Sequence, residues 1–94
     1  GRRISAALFH PHSIISTGCT VAPGAIVEDS VIMPNVHIES GAIIRHAIIG
    51  EDCRICRGAV IGGSFAPGEE KKISVVGKAK TIAENTAIKP GDIY

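Results

Sequence analysis

Ile15, Val21, Val27, Ile32, Ile38, Ile44, Ile49, Ile55 and Ile61 recur at steps of six, six and five residues. The pattern closes every 17 residues, so Ile15, Ile32 and Ile49 form one column, Val21, Ile38 and Ile55 a second, and Val27, Ile44 and Ile61 a third. A strand buries every second residue and a helix every third or fourth, and a hexad fits neither. It is the spacing of a chain wound into a prism of short parallel strands, three to a coil, each coil burying its face on the next. The predicted fold class is all-β: a hexapeptide-repeat parallel β-helix of about four to five coils with one extruded loop.

The polar positions support the same register. Three residues after each core aliphatic, the six-residue steps carry Gly18, Gly24, Asn35, Gly41, Asp52 and Gly58. These residues tolerate the positive φ that a sharp corner demands. The five-residue steps carry Ser30, Ala47 and Ser64 there, which predicts shorter corners without that backbone. Four residues after the core position stand Cys19, Ala25, Val31, Val36, Ala42, Ile48, Cys53 and Ala59, all small or aliphatic and read as inward.

Residues 1–94 read as one domain. Backward extension puts Ile4 and His10 in core columns, so residues 4–14 form a partial first coil. After Ile61 the pattern breaks, then Val76, Ile82 and Ile88 resume it. The step from Ile49 to Val76 is 27 residues, or 17 plus 10, so a loop within 62–75 leaves the prism at a corner and 76–94 form the terminal coil. Gly1-Arg2-Arg3 reads as an artificial boundary or an interior cut, and the chain is expected to be a fragment of a larger protein.

Composition agrees with a narrow core: the chain has no Trp, one Tyr and two Phe. A net charge of +1 makes no electrostatic case for a nucleic acid or a membrane partner. No apolar run reaches the roughly 20 residues that span a bilayer. Three Cys fit a reducing, cytoplasmic setting better than a disulfide scaffold. Cys19 and Cys53 share a column two coils apart, about 9–10 Å at ~4.8 Å per coil, too far for a disulfide.

Columns also gather ionisable groups. His12, Asp29, His46 and Gly63 share an outward corner, where Asp29 between two His residues offers weak metal-ligand candidates; the plain alternative is an imidazole–carboxylate contact. Glu28 and Arg45 stand one coil apart and should pair. His37 and Arg54 share an outward column. Arg54, Arg57, Lys71, Lys72, Lys78 and Lys80 crowd the C-terminal half, a grouping that suits a phosphorylated small molecule or a solvated face balanced by Glu69 and Glu70. No nucleophile–base set and no phosphate loop is present, so no catalytic residue is assigned.

The strings SIISTGCTV, VEDSVIMPNV, AIIGEDCRI, and ISVVGK followed by IKPG resemble the C-terminal domain of bacterial glucose-1-phosphate adenylyltransferase (ADP-glucose pyrophosphorylase) over residues 13–62 and 73–93. The resemblance implies a left-handed β-helix that serves assembly and allosteric regulation, with catalysis in a separate N-terminal domain of a cytoplasmic enzyme of glycogen biosynthesis. It implies ATP and Mg²⁺ for the full-length enzyme and no cofactor in these residues. It implies as partners the enzyme's own N-terminal domain, further copies of the chain and a phosphorylated-sugar effector. Lys78 matches a basic position of that family and is the carried-over effector contact; Arg54, Arg57, Lys71 and Lys72 join it as cationic candidates. Alternative readings are an acyl-CoA-dependent hexapeptide-repeat acyltransferase using His37 or His46 as base, a zinc site of the γ-carbonic-anhydrase kind using His12 and His46, and a non-catalytic scaffold that assembles through a flat prism face.

Overall fold

A computed structural model describes residues 12–94. The described residues contain twelve short strands and no helix. The first sheet stacks β1 (Ile14–Ile15), β4 (Val31–Ile32), β7 (Ala47–Ile49) and β10 (Ser74–Val76). The second stacks β2 (Thr20–Val21), β5 (His37–Ile38), β8 (Arg54–Ile55) and β11 (Thr81–Ile82). The third stacks β3 (Ile26–Glu28), β6 (Ile43–Arg45), β9 (Val60–Gly62) and β12 (Ala87–Ile88). All pairings are parallel, and consecutive strands fall on successive sheets, so the described residues wind as a three-sided parallel β-helix of four coils.

The hydrophobic columns are the strand registers. Ile15, Ile32, Ile49 and Val76 are aligned in the first sheet, Val21, Ile38, Ile55 and Ile82 in the second, and Val27, Ile44, Ile61 and Ile88 in the third. Ile32, Ile44, Ile49, Ile55, Ile61 and Ile82 are wholly buried, each contributing about 1.5–3 kcal/mol by leaving water. The buried apolar cluster contains no aromatic ring among the described residues, as a prism with small corner residues requires. Ile4 and His10 lie outside the described residues.

Two expectations are corrected at the five-residue corners. These corners do use positive φ: Asp29 and His46 both stand at 50°, and His12 at 56°. With one residue fewer to turn the chain, the left-handed residue moves one place earlier, where Asp and His are among the side chains that tolerate it. The inward residue moves with it. Ser30 and Ala47 are buried, whereas Val31 is half-buried and Ile48 faces outward at 39% exposure. Alternation along a strand forces this, because the neighbour of an inward Ile must point out.

The buried serines hold successive coils together. Ser13 Oγ accepts from Ser30 N–H at 3.2 Å, and Ser30 Oγ accepts from Ala47 N–H at 3.2 Å while donating to Glu28 C=O at 2.7 Å. Ser74 Oγ accepts from Gly91 N–H at 3.2 Å and donates to Lys89 C=O at 2.9 Å. Gly50 serves close approach instead: a Cβ there would lie 2.8 Å from Gly77 C and Lys78 N on the next coil.

β9 ends at Gly62 and β10 begins at Ser74, so residues 63–73 connect the third sheet to the first. Beyond Gly91 the chain rejoins the first sheet, where Val75 N–H donates to Asp92 C=O and Tyr94 N–H to Val75 C=O.

Candidate functional site

The three outer faces differ in chemistry. The outward column of the first sheet is Ile14, Val31, Ile48 and Val75, extended by Ile93 through an isolated bridge. That of the third sheet is Ile26, Ile43, Val60 and Ala87. On the second sheet the corresponding column is Thr20, His37, Arg54 and Thr81. Polar chemistry capable of holding a small ligand therefore concentrates on the second face.

There, Thr20 Oγ1 and His37 Nδ1 lie 2.8 Å apart across adjacent coils. Arg54 Nη1 donates to Glu39 Oε2 at 3.0 Å, and the Arg57 backbone N–H donates to Glu39 Oε1 at 3.1 Å. Arg57 Nη2 stands 3.7 Å from Glu84 Oε2. The Arg54 and Arg57 side chains are 55% and 67% exposed, so these pairs are worth only about 0–1 kcal/mol each; their effect is to orient the arms rather than to stabilise the coil. The small residues Thr20 and Ala22 on the first coil and the long arginines on the third create a step in the face. The step is a concavity of about 480 Å³ whose lining includes Thr20, Ala22, His37, Glu39, Arg54 and Arg57.

The other cations named from sequence stand elsewhere. Lys78 occupies the corner between β10 and β11, with Nζ 3.8 Å from Glu51 Oε2. Lys71 and Lys72 belong to the 63–73 connection, and the Lys72 side chain lies where a Cβ on Gly91 would approach it to 3.3 Å. Of the five candidates, Arg54 and Arg57 share one concavity. Lys80 extends toward the Tyr94 ring, 6.0 Å from its centroid.

The corner between the third and first sheets holds the His12–Asp29–His46 column. His12 Nδ1 is 3.2 Å from Asp29 Oδ1, and His46 Nε2 is 3.5 Å from Asp29 Oδ2. His46 Nδ1 donates to Gly63 C=O at 2.8 Å, and its ring meets Phe65 edge-on at 5.0 Å. His46 thus ties the start of the 63–73 connection to the third coil. Among the described residues, no three His, Cys, Asp or Glu side chains are gathered to hold a metal. The geometry is the imidazole–carboxylate contact. Next to it, Arg45 Nε donates to Glu28 Oε1 at 2.7 Å, the cross-coil pair that the 17-residue spacing predicts. Cys19, Cys53 and Cys56 are free thiols, the first two buried.

Glu39 escaped the reading from sequence, although it orients both arginines. Thr20 escaped it as well, and the 17-residue step from Thr20 to His37 was the available signal.

The architecture is a hexad-wound parallel β-helix, and the family match adds the class, the C-terminal domain of a sugar-phosphate nucleotidyltransferase. Within it, the chain matches the GMPPB C-terminal domain over residues 4–93, and it belongs to that family. The resemblance to glucose-1-phosphate adenylyltransferase is thereby supported as far as a nucleotidyltransferase C-terminal domain. Comparisons with curated proteins and with solved structures give no match. Among the described residues no helix is long and apolar enough to cross a membrane.

Proposed function

We propose that this chain is the assembly and regulatory domain of a sugar-phosphate nucleotidyltransferase, an enzyme that joins a nucleoside triphosphate to a sugar 1-phosphate and releases pyrophosphate. Catalysis then belongs to a separate N-terminal domain. The family match across residues 4–93 carries the class. The assembly role is supported by the outward aliphatic columns of the first and third faces, with Ile14 65%, Ile48 39% and Val60 38% exposed. Such contiguous apolar surface seeks a protein partner, and the partners proposed are other copies of the chain and the enzyme's own catalytic domain. The finer reading takes ADP-glucose as product, made from ATP and glucose 1-phosphate with Mg²⁺ in cytoplasmic glycogen biosynthesis. It rests on the strings SVIMP, AIIG and VVGK. A phosphorylated effector acting through the exposed cations, Lys78 first, is part of the same reading.

The test is pyrophosphate release by the intact protein carrying this chain, offered paired nucleoside triphosphates and sugar 1-phosphates. Turnover greatest with ATP and glucose 1-phosphate supports the finer reading. Turnover greatest with another pair removes ADP-glucose and keeps the class, and no turnover with any pair removes the class.

A further inference from the structure

Exposed apolar side chains are not shared evenly among the three faces. Of the seven large hydrophobic residues exposed among the described residues, Ile14, Ile48 and Ile93 lie in the outward column of the first sheet. Met33 follows the inward Ile32 and Ile73 precedes the inward Ser74, so alternation turns both to the same side. The third face adds Val60, and its last row is the small Ala87. No charged side chain interrupts the first column, so a partner must present an equally neutral, flat surface. Its first four rows, ~4.8 Å apart, also alternate in size: Ile14, Val31, Ile48, Val75.

We infer that the partner on the first face is a second copy of this chain, packed first face to first face with its helix axis reversed, about a two-fold axis between β4 and β7. A two-fold contact joins one patch to itself, so the patch must be self-complementary. Reversal about that axis sets the first row on the fourth and the second on the third. Ile14 then lies over the partner's Val75, and Val31 over the partner's Ile48. Each larger side chain meets a smaller one, which is how facing sheets fill the ~10 Å between them evenly. Packing with the helix axes parallel sets Ile on Ile and Val on Val, and leaves alternating bulges and gaps. At the rim toward the second face, reversal brings Glu51 and Lys78 to corners that hold the partner's Asn35 and the partner's Thr17, so no like charges meet there. Five rows by a strand and its flanks make a patch of roughly 20 Å by 15 Å, at the low end of specific interfaces, so the dimer should dissociate on dilution. The inference deepens the assembly part of the reading above and rests on it, naming the partner, the face and the orientation.

The test is the mass of the 94-residue chain by light scattering across the micromolar range, for the parent and for outward substitutions. The parent should approach twice 9.8 kDa. Ile48→Glu and Val31→Lys should each halve that mass, because each buries an unpaired charge in the interface, while Val60→Glu on the third face should leave it unchanged. All three side chains point away from the core, so the variants should keep the circular dichroism spectrum of the parent. Mixing Ile48→Glu chains with Val31→Lys chains should restore the doubled mass, because reversed packing sets the introduced ammonium against the introduced carboxylate and parallel packing leaves both unpaired. A mixture that stays monomeric, or a dimer that Val60→Glu dissociates and Ile48→Glu does not, would overturn the inferred interface and leave assembly standing. A monomeric parent would overturn both. Neither result depends on pyrophosphate release by the intact protein, so the enzyme class stands or falls on its own test.

Discussion

Replacing Ser30 by Ala isolates the contribution of the buried serines at the five-residue corners. Ser30 is 3% exposed, and its Oγ is the acceptor for the N–H of Ala47, itself 1% exposed. Removing the hydroxyl leaves that N–H without a partner in a place water does not reach. An orphaned buried donor costs about 1–3 kcal/mol. Glu28 C=O loses the donor Oγ but still accepts from His46 N–H at 3.2 Å, so the carbonyl adds little. A domain of this size loses about 4–8 °C of Tm per kcal/mol, so Tm should fall by about 5–20 °C. Ser74→Ala removes a comparable pair of bonds, but its partners Lys89 and Gly91 are exposed and can turn to water, so its loss should be smaller. Ser64→Ala, on the exposed connection, should stay within about 0.5 kcal/mol of the parent. Urea denaturation followed by circular dichroism measures all three. If Ser30→Ala unfolds at the same urea concentration as Ser64→Ala, the serines do not tie the coils and the assignment is wrong.

Further predictions concern the stacking itself. Gly50→Ala should destabilise by about 1–3 kcal/mol, because its Cβ would meet the Gly77–Lys78 backbone and force β7 from β10; an unchanged melting temperature would refute the close approach. Ile44→Ala, at the centre of the core, should lose about 2–5 kcal/mol in the same urea assay, and a loss below that of Ser30→Ala would contradict its placement. Glu28→Gln breaks a half-exposed pair and should lose only about 0–1 kcal/mol, less at high salt; a larger, salt-insensitive loss would mean that Arg45 is held by something else.

The core was legible because burial repeats. Each coil spends a fixed number of residues on three sides, so Ile32, Ile44 and Ile55 announce their columns by spacing alone. Glu28 and Arg45 were legible for the same reason, standing 17 residues apart. The five-residue corners were misread because counting onward from the last core residue treats both corner lengths alike. Alternation counted back from the next core residue puts Ser30 and Ala47 inside and Val31 and Ile48 outside. A buried serine is also hard to anticipate, since the residue type signals a turn and its partner lies on another coil. The second face was legible in part: the spacing that pairs His37 with Arg54 also reaches Thr20. Glu39 was hidden because it contacts Arg54 and Arg57 at separations of 15 and 18 residues, diagonally across the register.

The reading of this domain as an assembly module is tested most directly by the mass of the 94-residue chain in solution, measured by light scattering at micromolar concentration. The aliphatic first and third faces predict a particle that is a multiple of the 9.8 kDa chain, and Ile48→Glu on the first face should shift it toward smaller species. A parent chain that scatters as a 9.8 kDa monomer would contradict the account.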